Sequence, residues 1–293
     1  MLREEPMALE PKVVVGGIRP LGRVVLWEFG KLARLRSVRV GLLVAFLLPF
    51  LWALAPTAGL NQIYGLILVS GWQVPALALL AGMNFLFPFL TAMAAAEVIG
   101  SEVAQGTLKS LLLRPFPRSG ILLAKVVTVL SYPYMLLLAG LLGSLLAGVI
   151  HGFGPFAGGT GLGAEGFAGV GLVAPAQAIA EILRAYALAG LVLWPISALA
   201  LLFAVVFLST TAAALAAVAS ILLMQLLSPF IFLRPFLLTT YLGLYSPATY
   251  AQTAGLLGLT STHTVLPQGL ALLLIYTAGF AALALLVFDR KDV

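Results

Sequence analysis

EVIGSEVAQGTLKSLLLRPFPRSGILLAK (residues 97–125) decides the fold, because it places six charged side chains between two long apolar runs. They are Glu97, Glu102, Lys109, Arg114, Arg118 and Lys125. On insertion scales a charge at the bilayer centre costs about 2.5–3.5 kcal/mol, so six would cost roughly 15–20 kcal/mol. The stretch is therefore predicted to leave the membrane, and the apolar runs on either side are predicted to cross it.

The composition identifies an integral membrane protein. Of 293 residues, 62% are hydrophobic and 9% are charged, whereas soluble domains carry about 25% charged residues. A transmembrane helix needs ~20 apolar residues, so the chain has room for six or seven spans and little for a catalytic domain. It contains no cysteine and no GxxxxGK[ST] motif. We therefore predict no metal site, no catalytic residues and no P-loop ATP site in this chain.

The predicted fold is an all-α bundle of six transmembrane helices within residues 38–288. The apolar runs are Val38–Ala55, about Val74–Ile99, Ile121–Ile150, Leu183–Leu208, Ala212–Leu233 and Leu266–Phe288. Between the first two, Leu60–Ala81 contains polar residues and Pro75, and is interpreted as an outer loop or re-entrant element leading into a long second helix. The predicted outer loops are 56–73, 151–182 and 234–265.

Lysine and arginine, which stay on the cytoplasmic side, give the orientation. Eight of the sixteen precede or open the first span, four lie in residues 97–125, and two lie at the end of the chain. Six spans with both termini inside satisfy this distribution. We predict a cytoplasmic segment at 1–37, a cytoplasmic tail at 289–293 and a multi-pass protein of the inner (cytoplasmic) membrane.

Residues 19–36 (RPLGRVVLWEFGKLARLR) are predicted to form an amphipathic helix in the membrane interface. At 100° per residue Arg23, Glu28, Lys31 and Arg34 share one face of the helix. The opposite face carries Leu21, Val25, Leu26, Phe29, Leu32 and Ala33. A basic face backed by an aromatic and aliphatic face is typical of an interfacial helix. It can serve as a membrane anchor, as a docking element, or as both.

Residues 100–120 are predicted to form a cytoplasmic segment with a short helix. Gly106 can end the long second helix in the left-handed conformation, Thr107 can cap a new helix, and Pro115 ends it. Leu108, Leu111 and Leu112 form one stripe of this helix, flanked by Lys109 and Arg114. Such a helix resembles a plug for a groove on another protein; the alternative is a helix lying on the membrane.

Glu97 is a candidate intramembrane carboxylate near the end of the second span. Such a residue is a functional candidate by default, although a carboxylate near a span end is more often a partner for a helix end. Glu102 follows five residues later, about 140° around the helix, so the two carboxylates are not expected to form a pair on one face.

The run Glu102-Val-Ala-Gln-Gly106-Thr107-Leu108, followed by Leu-Leu-Arg114-Pro115, Arg118, Ile121-Leu122 and Lys125, resembles the signature of type-2 ABC transporter permeases. Their Glu-x-x-x-Gly-Thr-Leu segment precedes Leu-Leu-x-x-Pro-x-x-Arg-x-x-Ile-Leu-x-x-Lys. The tail Phe288-Asp289-Arg290-Lys291-Asp292 is similar to their Phe-x-Arg-Arg-Asp ending.

The resemblance implies a membrane subunit that pairs with a second permease copy or paralogue and with two copies of a separate ATP-binding subunit. ATP and Mg would bind to that partner, and export is the expected direction. Residues 102–115 would correspond to the coupling helix that docks on the ATPase. The turn Ser209-Thr210-Thr211 carries no charge, so a second coupling contact there would be slight.

Three functions remain in competition on the sequence alone, one of which is a passive assembly factor without transport or ATPase stimulation. The first is the permease subunit of an ATP-driven transporter. The second is a self-sufficient secondary transporter or channel that uses Glu97 as its coupling carboxylate, although the internal repeats common in that class are not evident. The apolar spans carry no readable substrate code.

Overall fold

The computed structural model describes residues 18–64, 68–107, 118–259 and 261–291, and its architecture is all-α. In chain order the helices are α1 Ile18–Leu32, α2 Arg36–Ala53, α3 Thr57–Tyr64, α4 Val74–Ala81, α5 Phe87–Ala104, α6 Arg118–Gly148, α7 Pro175–Phe207, α8 Thr210–Leu226, α9 Tyr250–Leu257 and α10 Val265–Arg290. Two short strands, β1 Phe156–Ala157 and β2 Leu172–Val173, pair antiparallel in the connection between α6 and α7.

Within the described residues, five helices are long and apolar enough to cross a membrane. They are Arg36–Ala53, Gly71–Ala104, Ser119–His151, Pro175–Phe207 and Thr262–Arg290. The chain is therefore a multi-pass membrane protein. Along the bundle, α7 packs against α5 and α10, and α2 packs against α6.

The fifth predicted span, Ala212–Leu233, is not confirmed at that length. Its helix α8 ends at Leu226, after 17 residues, and short 3-10 turns at Arg234–Phe236, Leu238–Tyr241 and Pro247–Thr249 follow it. Pro229 explains the early end, because proline disfavours the helical conformation in the residue before it and has no N–H to donate. Pro229 therefore follows the helix rather than kinking it.

The second span is longer than predicted, because Gly71–Ala104 forms one helical run. A 3-10 turn at Gly71–Gln73 leads into α4, and a π-helical segment at Gly82–Leu86 joins α4 to α5. Of the stretch interpreted as re-entrant, the first residues belong to α3 and the last eleven to this long run.

Helix α7, which forms the fourth span, begins at Pro175, whereas the span was predicted to begin at Leu183. Pro175 suits a first helical position, and Gln177 donates a side-chain hydrogen bond of 3.1 Å to Glu181 one turn later. These polar residues, which suggested a loop, therefore belong to the first turns of α7.

Small residues bring α6 close to α2 and to the start of the second span within one chain. A Cβ placed on Gly143 would clash with the carbonyl oxygen of Phe46 and lie 2.8 Å from its carbonyl carbon. A Cβ on Gly148 would lie 2.7 Å from the carbonyl oxygen of Gly71. Glycine permits this close approach of two helices.

The connection between α7 and α8 is a tight turn. Leu208 adopts a left-handed conformation with φ 51°, and the Ser209 hydroxyl accepts a bond from the Ala212 amide at 3.5 Å. From the end of the chain, the Lys291 ammonium donates to the carbonyls of Val205, at 2.9 Å, and Val206. Lys291 thereby satisfies carbonyl groups that the end of α7 leaves without helical partners.

Candidate functional site

Four charged side chains from three helices meet at one end of the bundle. Glu28 and Lys31 lie on α1, Glu102 lies near the end of α5, and Lys125 lies near the start of α6. The Lys125 ammonium is 2.8 Å from both Glu28 Oε2 and Glu102 Oε1. Lys31 Nζ is 2.7 Å from Glu28 Oε1 and also pairs with Glu102. We call these four residues the ionic cluster.

The ionic cluster is buried. Lys125 is 0% exposed and Glu28 is 2% exposed. Isolated charges at such positions carry a desolvation cost of several kcal/mol each, which is offset here because two carboxylates balance two ammonium groups. Lys31, which is partly exposed, also lies 3.8 Å from the centre of the Trp27 ring, in cation–π geometry. The desolvation cost of each charge in the ionic cluster is therefore offset by the other members of the cluster.

The ionic cluster lies at the base of the predicted coupling segment, because Glu102 belongs to the start of that segment and Lys125 follows its end. Glu102, predicted to contact the ATPase, is buried in the ionic cluster at 6% exposure. Residues 108–117 lie outside the described residues. The predicted docking residues Leu108, Lys109, Leu111, Leu112, Arg114 and Pro115 fall in that gap. Their role remains a prediction, whereas the two sides of the connection are joined directly through the Glu102–Lys125 pair.

The end of the long second helix agrees with its sequence. α5 ends at Ala104, and Gly106 has φ +66°, which confirms that this glycine ends the helix in the left-handed conformation. The Thr107 hydroxyl donates to the Glu102 carbonyl oxygen at 3.3 Å, so it binds back to the end of α5. Whether it also caps the predicted coupling helix depends on residues beyond those described.

The amphipathic helix predicted over residues 19–36 is only partly matched by α1, which ends at Leu32 and leaves Arg34 in the turn before α2. The surroundings of its polar face also differ from those expected. Glu28 is buried against Lys125, while Arg23 and Arg34 are exposed as predicted for a polar face. Leu26, on the predicted apolar face, is 73% exposed. The helix therefore packs on the bundle through Glu28 and Leu32 and leaves Leu26 outward, because Lys125 offers a buried charge that Glu28 can pair with.

A cavity of about 450 Å³ lies beside the ionic cluster. Its walls include Trp27, Lys31 and Leu35 from the first helices, and Ser101, Gln105 and Thr107 from the end of the second span. It thus combines an aromatic ring, an ammonium group and hydroxyl and amide groups next to the base of the coupling segment.

The end of α5 also contacts the turn between α7 and α8. A Cβ placed on Gly100 would clash with the Thr210 hydroxyl and lie 2.6 Å from the Thr210 amide nitrogen. The end of α5, from which the charged stretch leaves the bundle, therefore contacts the start of α8 at Gly100. The turn is short and uncharged, as the sequence indicated. A displacement of α5 at Gly100 would nevertheless be transmitted to α8.

Glu97 is separate from the ionic cluster. Its Oε2 accepts a hydrogen bond from the Ser37 amide at 3.3 Å and another from the Ser37 hydroxyl. Ser37 is the second residue of α2, where backbone N–H groups lack helical partners and the helix dipole favours negative charge. The position of Glu97 fits the partner of a helix end, and Glu97 and Glu102 do not meet, as predicted from their spacing.

Sequence reasoning missed two members of the ionic cluster as a site. Lys125 was assigned to the charged stretch that leaves the membrane, and Glu28 to the exposed face of an amphipathic helix. The available signal was that Lys125 lies inside the predicted third span, Ile121–Ile150, where a lysine requires a carboxylate partner. The sequence gives no means of choosing that partner from helices far apart in the chain.

Comparison with known proteins identifies the family of this chain. Residues 24–189, more than half of the chain, match the family described as ABC-2 family transporter protein. The chain belongs to this family. Members generally work with a separate ABC ATP-binding subunit and are generally non-catalytic themselves.

A curated relative from Bacillus subtilis (strain 168), the uncharacterized protein YhcI, is 39% identical over 70 residues. This match covers 24% of the present chain and 22% of the relative. The similarity therefore extends to less than a quarter of either protein. The name of this relative gives no substrate.

Proposed function

We propose that this chain is the membrane subunit of an ATP-driven exporter whose residues 100–120 dock on a separate ATP-binding subunit. Two copies of that subunit bind ATP and Mg, and the present chain pairs with a second copy or a paralogue to enclose the transport pathway. The amphipathic helix α1 lies along the cytoplasmic interface of the inner membrane, and both termini are cytoplasmic.

The single observation that carries the proposal is the position of the ionic cluster. Glu102, at the start of the docking segment, and Lys125, beyond its end, share a 2.8 Å ion pair, and the same two side chains bind α1 through Lys31 and Glu28. A force applied to the segment between them therefore acts on α1, α5 and α6 together, since the buried charges cannot separate without losing their compensation.

The contact of Gly100 with Thr210 supplies a second connection into the bundle. It extends the same displacement from α5 to α8. In this arrangement ATP-driven closure of the partner subunits moves several spans through one docking segment, and the membrane subunit needs no chemistry of its own.

The experiment is affinity purification of the full chain from its native membrane in mild detergent, followed by mass spectrometry and an ATPase assay. The expected result is a stoichiometric P-loop partner with ATPase activity, and loss of that partner in the double substitution Leu111→Asp and Leu112→Asp. The matched control is Val170→Asp with Leu172→Asp, at exposed positions in the connection between α6 and α7, which tests whether any two new carboxylates release the partner. Recovery of the intact chain without a P-loop partner would contradict the proposal.

A further inference from the structure

A second cavity, of about 640 Å³, lies far from the ionic cluster. We call it the Arg234 cavity. Polar walls come from Asn84, Gln225, Arg234, Thr240 and Gln252, and apolar walls include Leu80, Met83, Leu242 and Leu256. Asn84 precedes Glu102 by 18 residues on one helical run, a separation of about 27 Å at 1.5 Å per residue. The Arg234 cavity therefore belongs to the opposite half of the bundle.

Two interruptions of regular helix form the Arg234 cavity. On one side the second span passes through the π-helical segment Gly82–Leu86, a type of irregularity that is frequent at functional sites. On the other side α8 ends at Leu226, after about 25 Å of helix, short of the ~30 Å hydrocarbon core. Non-helical backbone at such a depth is tolerated where it is buried in protein or lines a polar cavity, and the 3-10 turns after α8 do line one.

Arg234 is held in place before any ligand binds. Its Nε donates to the Ser228 carbonyl oxygen at 2.8 Å. The turn that carries Arg234 is fixed by three hydroxyl groups that donate to backbone carbonyls. These bonds are Thr240 to Arg234 at 2.9 Å, Tyr241 to Pro235 at 2.9 Å, and Tyr276 to Phe236 at 2.7 Å. The Ser228 bond uses Nε and not the two terminal amino groups of the guanidinium. A guanidinium preorganised in this way suits a carboxylate or phosphate.

The charge that lines the Arg234 cavity is positive. Among the described residues that line it, Arg234 is the single charged side chain, and the other polar groups are amides, hydroxyls and backbone. The walls thus complement a polar group that carries one negative charge.

Asn84 lines both the Arg234 cavity and a shallow apolar groove on the surface of the bundle. This groove lies between the second span and α8 and is lined by Phe85, Phe89 and Leu222. The Phe85 and Phe89 rings stack with centroids 5.5 Å apart, and Phe85 and Leu222 are both about half exposed. The polar cavity carries one cation and lies beside an apolar groove. This combination matches an amphiphile better than a free inorganic anion, because an inorganic anion would leave the groove unused.

We propose that the Arg234 cavity binds an amphiphile with an anionic headgroup, which pairs with Arg234 while the apolar chain lies along the Phe85 groove. This inference rests on the proposed function for its transport part, because it names the substrate class of the exporter. The binding itself depends only on the present chain.

The test is native mass spectrometry of the purified full chain in a neutral detergent. Phosphatidylglycerol is titrated against phosphatidylcholine with the same acyl chains, with inorganic phosphate as a competitor. The key variant is Arg234→Gln. The matched control is Arg184→Gln, because Arg184 does not line the cavity and instead hydrogen-bonds Tyr250. The assay contains no ATP-binding subunit, so its failure is distinguishable from loss of partner capture.

We expect the wild-type chain to prefer phosphatidylglycerol by about tenfold, which corresponds to one charge-assisted contact. Arg234→Gln removes this preference and Arg184→Gln keeps it. Equal binding of the two lipids by the wild type, an unchanged preference in Arg234→Gln, or displacement of the lipid by equimolar inorganic phosphate would overturn the proposal.

A second variant keeps the proposal testable if Arg234→Gln does not yield monodisperse protein. Phe85→Ala removes the half-exposed ring that lines the groove and is expected to weaken phosphatidylglycerol binding about tenfold. Unchanged binding in this variant would also overturn the proposal.

Discussion

Lys125 and Glu102, 23 residues apart in the chain, form a buried ion pair of 2.8 Å across the base of the charged stretch. The same ammonium group binds Glu28 on the amphipathic helix. The first helix, the end of the second span and the start of the third are thereby joined at one fully buried nitrogen.

Replacing Lys125 with methionine is expected to destabilise the protein by about 3–5 kcal/mol, because it leaves two buried carboxylates with only the Lys31 ammonium to balance them. Thermal unfolding in detergent, followed by tryptophan fluorescence, measures the effect. Adding Glu28→Gln to Lys125→Met should restore part of the loss, since it brings the cluster back to charge balance.

Arg39→Gln serves as the control for Lys125→Met, because Arg39 is exposed and bonds only the Arg34 carbonyl among the contacts described. It is expected to change stability by less than about 1 kcal/mol. If the double variant is no more stable than Lys125→Met, charge balance is not what holds the cluster together.

Gly143→Ala is expected to destabilise the bundle by about 1–3 kcal/mol, because the added methyl group meets the Phe46 carbonyl and pushes α2 from α6. Gly279→Ala in α10 is the matched control, since nothing lies within 4 Å of a Cβ placed there. Unfolding of both variants in the same detergent provides the comparison. Similar melting of the two variants would contradict the internal packing assigned to Gly143.

Glu97→Gln is expected to retain partner capture and ATPase activity and to lose about 1 kcal/mol of stability, because the amide can still accept a bond from Ser37 but lacks the charge favoured at the start of α2. Reconstituted vesicles then separate the two competing transport functions. Proton- or sodium-driven uptake by the chain alone, abolished by Glu97→Gln, would favour the secondary transporter.

Lys291→Met is expected to cost about 1–3 kcal/mol, because it removes a charged donor from the Val205 and Val206 carbonyls. Arg290→Met, at the exposed preceding position, is the matched control. Chemical unfolding of the two variants shows whether the end of the chain stabilises α7. Equal effects would show that the loss reflects charge near the tail and not these two bonds.

Much of the fold could be predicted from the sequence, since span positions follow from long apolar runs and the end of α5 follows from Gly106. The end of α8 was misplaced because an apolar run continues through Pro229, and apolarity alone does not report where helix geometry stops. The start of α7 was misplaced for the opposite reason, since Gln177 and Glu181 are polar yet helical.

The ionic cluster was beyond sequence reasoning because its members pair between helices. Glu28 lies 97 residues from Lys125, and one sequence offers several acidic residues at that end of the bundle as partners for a buried lysine. The Arg234 cavity was likewise hidden, because it depends on a π-helical segment and on 3-10 turns whose packing no periodicity predicts.

The most direct measurement of the central claim uses the natural absence of cysteine. Single-cysteine variants Leu111→Cys and Val170→Cys are cross-linked in native membranes, where Val170, in the connection between α6 and α7, is 98% exposed. We expect Leu111→Cys to form a covalent adduct with a P-loop ATPase and Val170→Cys to form none. No adduct from Leu111→Cys in intact membranes, or the same adduct from both positions, would contradict docking through residues 100–120.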